Sequence, residues 1–160
     1  MSVARYTLRA SPAVGIGGMY ATAEGLGEPV RTAALDPSLV DQQNWAMIPG
    51  SIPEDKYRVC LYNSENNFSS GWTPLGETIV PDQPLVLTDD YNRHIVWYLK
   101  KFDAPDGVAN AYTLTAADPG IIGATFYAAT NEQGLVVVKA IPVIPDIDPS
   151  IIPYWVLERH

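Results

Sequence analysis

Arg5-Tyr6-Thr7-Leu8-Arg9 recurs as Lys56-Tyr57-Arg58-Val59-Cys60 and again as Ala111-Tyr112-Thr113-Leu114-Thr115. Each opener carries a tyrosine with an aliphatic side chain two residues later. Each is followed by a tryptophan at the head of an apolar run: Trp45-Ala46-Met47-Ile48, Trp97-Tyr98-Leu99-Lys100 and Trp155-Val156-Leu157-Glu158. The tyrosine-to-tryptophan separations are 39, 40 and 43 residues, and the openers lie 51 and 55 apart. Self-similarity at a fixed period decides an architecture before any single element does.

Between opener and closer each unit holds two more strand-like runs. They are Met19–Ala23 and Pro29–Ala33, then Phe68–Thr73 and Leu85–Thr88, then Ala124–Ala128 and Leu135–Lys139. Alternation and β-branched residues mark these as strands, and no segment shows a helical period. Twelve strands in three units, with no substantial helix, predict an all-β fold, a β-trefoil. Six strands would close a barrel and six would cap it. A propeller needs more blades, and a sandwich does not repeat three times. The repeats run over about residues 5–50, 56–103 and 111–159 of a single domain spanning residues 1–160. The opener tyrosine, its aliphatic partner and the closer tryptophan are expected to line one shared core, with Trp45, Trp97 and Trp155 equivalent and buried.

Composition agrees and narrows the function. The 160 residues are 47% hydrophobic and 18% charged, with 12 glycines and 14 prolines spread along the chain. Such a chain is globular and turn-rich. The formal charge of −8 repels phosphate backbones, so nucleic acid is not an expected partner. No basic run exceeds Lys100-Lys101, which argues against an anionic membrane surface. Cys60 is the one cysteine, so packing rather than a disulfide must hold the fold. The opening MSVARYTLRA has no apolar h-region, and a cytoplasmic home is expected, compatible with release by an unconventional route.

Catalytic constellations are missing. The two histidines, His94 and His160, form no closely spaced pair of zinc ligands, and neither Gly-x-Ser-x-Gly nor a complete GxGxxG occurs. Cys60 lies mid-strand with no histidine near it in sequence and reads as a structural thiol. The pair Asp89-Asp90 reads as solvated turn residues. No enzyme activity, metal or cofactor is expected.

Loops carry the remaining options. Loop one, Pro12-Ala13-Val14-Gly15-Ile16-Gly17-Gly18, is uncharged, apolar and rich in glycine. Without a Cβ, glycine lets backbone approach a partner's catalytic residue closely. Aliphatic side chains at Val14 and Ile16 suit an interface better than a free surface; the other reading is a plain turn with one of them tucked inward.

The chain resembles the mycocypins, the mushroom β-trefoil protease inhibitors that include clitocypin and the macrocypins. The similar stretches are Gly17-Gly18-Met19-Tyr20-Ala21-Thr22, Glu28-Pro29-Val30, Pro142-Val143-Ile144-Pro145 and Ile152-Pro153-Tyr154-Trp155. The resemblance implies a protease inhibitor of fungal defence. It implies further that loop one and the segment between the third and fourth strands wedge into the cleft of papain-like cysteine proteases. In this sequence that segment is Asp36-Pro37-Ser38-Leu39-Val40-Asp41, an apolar tip at Leu39 and Val40 between aspartates.

The family also uses the loop between strands five and six against legumain, an asparagine-specific protease. Asn66 and Asn67 in Asn63-Ser64-Glu65-Asn66-Asn67-Phe68 would serve there, or would simply tolerate left-handed turn dihedrals. Other fungal trefoils inhibit trypsin-like or aspartic proteases. A trypsin-like serine protease demands an exposed cation, for which Arg93 is the best candidate, although Asp89 and Asp90 counter its charge.

The rival class is a carbohydrate-binding trefoil lectin. Gln43-Asn44-Trp45 fits the lectin Gln-x-Trp signature, while Ile95-Val96-Trp97 and Pro153-Tyr154-Trp155 do not. In that reading Trp72 would stack on a sugar; otherwise it would be buried in the cap.

Overall fold

The computed structural model describes residues 4–11, 19–49, 56–62, 70–117 and 123–160. Among them run twelve strands. Six close a ring: β1 (Tyr6–Ser11), β4 (Trp45–Pro49), β5 (Lys56–Leu61), β8 (Trp97–Lys101), β9 (Ala111–Ala116) and β12 (Tyr154–Arg159). Each pairs antiparallel with the next, and β12 returns to β1 through six residue pairs from Tyr6–Arg159 to Ser11–Tyr154. Closure leaves no exposed barrel edge.

The other six strands form three hairpins. These are β2 (Tyr20–Thr22) with β3 (Arg31–Ala33), β6 (Gly71–Pro74) with β7 (Leu85–Thr88), and β10 (Ala124–Thr130) with β11 (Val136–Pro142). Isolated bridges tie hairpin to hairpin: Leu26–Leu87, Pro29–Val86, Arg31–Leu135 and Pro84–Val137. A six-stranded barrel capped by three linked hairpins is a β-trefoil. Among the described residues helix is confined to one four-residue turn, α1 (Val40–Gln43), and three short 3-10 turns.

Three strands are shorter than their sequence suggests, the first being β2, which lacks Met19 and Ala23. Pro29 has no N–H to give to a ladder, so β3 starts at Arg31, and the Val30 amide donates instead to the Leu85 carbonyl of the next hairpin (2.9 Å). β6 begins at Gly71; Phe68 and Ser69 lie outside the described residues.

The core follows the repeat. Leu8, Val59 and Leu114, two residues past each opener tyrosine, are buried with Trp45, Trp97 and Trp155 in one cluster. Tyr6, Tyr57 and Tyr112 differ from expectation: they are half-buried and pack against the cluster from its rim. A tyrosine ring can cover apolar neighbours while its hydroxyl stays wet, which a central position would forbid.

The fourth tryptophan, Trp72, is fully buried and touches all three closers. Its ring centroid lies 5.6 Å from Trp45, 6.2 Å from Trp97 and 5.8 Å from Trp155, in edge-on or tilted arrangements. Such geometry suits the charge distribution of aromatic rings.

Candidate protease-contact surface

Three segments feed the barrel strands that carry the closer tryptophans, and all three use one local device. An aspartate with extended backbone caps a 3-10 turn, and its carboxylate accepts from the amide two residues on. The pairs are Asp36 with Ser38 (2.9 Å), Asp90 with Asn92 (3.1 Å) and Asp148 with Ser150 (2.9 Å). Proline follows the cap in the first and third, where its fixed φ and missing N–H suit the start of a helical turn. The Ser38 amide and then its hydroxyl hold the Asp36 carboxyl below the usual carboxylate range, and Ser150 does the same for Asp148.

The Asp36–Asp41 segment is therefore a shaped turn rather than an open loop: Pro37–Leu39 is 3-10 and runs into α1. Gln43 staples its base. The side chain accepts from the Asp36 amide (3.1 Å) and donates to Thr22 Oγ1 (3.1 Å) and the Ala34 carbonyl (2.9 Å). Pro37, Ser38 and Val40 are exposed, while Leu39 is half-buried. Leu39 lines a groove with Leu26, Leu61 and Ser70; Leu35, Pro37 and Val40 line another with Arg5 and His160. The apolar tip expected at Leu39 and Val40 thus splits. Leu35, Pro37 and Val40 face outward, and Leu39 is turned toward the barrel wall.

Ala13, Val14, Gly15, Ile16, Gly17 and Gly18 lie outside the described residues, but their stems do not. The Ala10 amide donates to the Met19 carbonyl (2.7 Å), so the two ends of loop one are tied together. Ser11 pairs with Tyr154, at the exit of the β11–β12 loop. β4 begins opposite Tyr6, five residues and about 17 Å down β1 from Ser11. Trp45 pairs with Leu61 at the end of β5. The end of the Asp36–Val40 segment is consequently beside the stem of residues 63–69, and the stem of loop one is beside the end of the β11–β12 loop.

Asn66 and Asn67 also lie outside the described residues, on a stem closed by the Leu61 amide donating to the Ser70 carbonyl (2.7 Å). Arg93 is exposed on the 3-10 turn capped by Asp90, and its carbonyl accepts from Thr73 Oγ1 (2.8 Å). Asp89 and Asp90 are exposed beside it. Asp90 also organises the turn, a role beyond the solvated residue read from sequence.

Cys60 does have a histidine neighbour, contrary to the sequence reading. His94 Nδ1 is 3.8 Å from the buried Cys60 sulfur, and His94 Nε2 is 2.9 Å from the Thr88 carbonyl oxygen. A carbonyl only accepts, so Nε2 carries a proton, and Nδ1 is the ring nitrogen that faces the thiol. Burial pushes the Cys60 thiol up to about 11, against a smaller opposing pull from Arg58. A neutral, enclosed thiol is a poor nucleophile. The contact joins residues 34 apart in the chain, which no motif scan connects.

The lectin signature dissolves in three dimensions. Gln43 is 1% exposed with its amide group engaged, and Trp45 and Trp72 are fully buried, so none presents a face to a sugar. Among the described residues no group of three His, Cys, Asp or Glu side chains is placed to hold a metal ion.

No curated protein matches the chain. The family model described as "Peptidase inhibitor clitocypin" matches residues 4–157, nearly the whole length. The chain belongs to the clitocypin peptidase inhibitor family, and its role is to inhibit a peptidase rather than to catalyse a reaction.

Proposed function

We propose that the protein reversibly occludes the active-site cleft of papain-like cysteine proteases, using loop one and the Asp36–Asp41 segment. The observation that carries this is the shape of the second element. Asp36, Ser38 and Gln43 hold Pro37 and Val40 outward on a turn whose conformation is already set. Preorganisation lowers the ordering cost of binding. The tip contains no cation, so entering an apolar cleft strands no buried positive charge. Occlusion needs no reactive side chain, in keeping with a thiol locked in the core.

The test is inhibition of papain by the full chain. Val40→Asp should weaken it at least tenfold, about 1.4 kcal/mol, by placing an unpaired charge in the contact. Gly18→Glu should do the same on loop one. Leu39→Asp is a poorer probe, because Leu39 is half-buried and its replacement would disturb the fold as well. Equal inhibition by parent, Val40→Asp and Gly18→Glu would remove both elements from the site. Action on a second protease class would use residues 63–69, whose stem lies beside the Asp36–Val40 segment, and Asn67→Ala should affect legumain alone.

A further inference from the structure

We propose that the loop between β11 and β12, residues 143–153, is a third contact element against the same protease, seated beside loop one; this rests on the reading above. Three aliphatic side chains stand in solvent within nine residues: Val143 (68% exposed), Ile144 (53%) and Ile151 (55%). Groups of exposed aliphatics on one short segment mark interaction sites more often than scattered ones do.

The segment is stiff. Pro142, Pro145, Pro149 and Pro153 restrict its backbone. The Val143 amide donates to the Gly123 carbonyl (3.0 Å), and Asp148 caps the turn that carries Ile151.

Its sequence repeats the first element. Asp148-Pro149-Ser150-Ile151-Ile152 matches Asp36-Pro37-Ser38-Leu39-Val40 in residue type and in its aspartate-capped 3-10 turn. The first then runs on into α1 and exposes Val40, whereas Ile152 is extended and Ile151 is the exposed residue. The fold does not require the aliphatic tip. The equivalent turn of the middle repeat, Asp90-Tyr91-Asn92-Arg93, keeps the aspartate cap but has neither the proline nor the aliphatics. What the fold needs is the cap, and the exposed aliphatics of the other two turns are left for a partner.

Position selects the occupant. Ser11, where loop one leaves β1, pairs with Tyr154, and Pro149 and Ser150 line one groove with Arg9, Ala10 and Ser11. A protease held by loop one would therefore meet this segment on the same side. Residues 140–153 contain no Lys or Arg, so the contact suits an apolar subsite and not a trypsin-like pocket.

The experiment uses the full chain and papain. Val143→Asp/Ile151→Asp is compared with the parent and with Val80→Asp, an exposed aliphatic on the β6–β7 connection. The double variant should bind papain at least tenfold more weakly, with its melting temperature unchanged and Val80→Asp behaving as parent. Hydrogen exchange on the parent complex should show protection of the amides of residues 143–152, a readout that stands even if the variant folds poorly. If parent and double variant bind alike, or these amides exchange as in the free protein, the inference is overturned while papain inhibition stands. If the parent does not bind papain, both readings fall. Sedimentation showing a parent dimer that the double variant splits would assign the patch to self-association and overturn the inference too.

Discussion

The hairpin of the middle repeat differs from the other two at the point where all three meet the barrel. Tyr20, Gly71 and Tyr127 occupy one register position, opposite Arg9, Cys60 and Thr115, so Ala21, Trp72 and Ala128 are equivalent. Two alanines and one tryptophan share the space among the three closer tryptophans. Three large side chains could not crowd there together, and three small ones would leave a cavity. Close packing at the centre of a pseudo-threefold fold therefore requires that one repeat break the pattern.

The break propagates. Trp45 Nε1 donates to the Ala21 carbonyl (2.9 Å) and Trp155 Nε1 to the Ala128 carbonyl (3.0 Å). The corresponding Trp72 carbonyl accepts from the Ile95 amide (2.9 Å), and Trp97 Nε1 finds no acceptor among the described residues. Beside Trp72, position 71 must be glycine because the His94 ring occupies the space where the other repeats have a tyrosine. A Cβ on Gly71 would lie 2.8 Å from His94 Nδ1.

The largest effect should come from Trp72→Ala. Removing a buried indole and leaving a cavity costs about 3–5 kcal/mol, which lowers the melting temperature by roughly 10 °C in a chain of this size. A loss below 1 kcal/mol in urea unfolding would show that the centre collapses and that the asymmetry is incidental. Gly71→Ala comes next, at about 1–3 kcal/mol of overpacking against a ring held by the Thr88 carbonyl. Pairing it with His94→Ala should recover part of that loss, and strict additivity would break the link between the two positions.

A smaller contrast separates the closers. Trp45→Phe strands the Ala21 carbonyl, whereas Trp97→Phe removes an N–H that had no acceptor, so Trp45→Phe should cost about 1 kcal/mol more. Equal unfolding midpoints would deny the asymmetry. The smallest effect lies on the rim. With their folded values depressed, Asp36 and Asp148 contribute stability that is present above the ordinary value of 3.8 and lost as pH falls through the folded values. The Ser38 and Ser150 amide resonances should therefore titrate with midpoints below 3.8; midpoints at or above it would mean the caps do not form.

Legibility from sequence divides along the same line. The frame was readable because Tyr6, Leu8 and Trp45 and their copies recur at constant spacing, and because alternation is a local property of a strand. The break between β1 and β2 was readable too, because the glycine-rich run from Pro12 to Gly18 interrupts the strand pattern there. Two of the aspartate caps are written in the sequence as Asp-Pro-Ser, while the third, Asp90-Tyr91-Asn92, carries no such signature.

Trp72, Gln43 and His94 could not be placed that way. A lone tryptophan, a Gln-x-Trp and an isolated histidine look the same in sequence whether they face solvent or core. By itself the sequence determined the three four-strand units, the all-β class and the absence of a local catalytic motif, since each is set by nearest-neighbour chemistry and period. Only the tertiary structure decided that Trp72 fills the centre, that Gln43 staples a turn, and that His94 meets Cys60. It also decided that Ser11 lies beside Tyr154, 143 residues away. Those contacts arise from barrel closure, which joins segments whose separation in the chain carries no local signal.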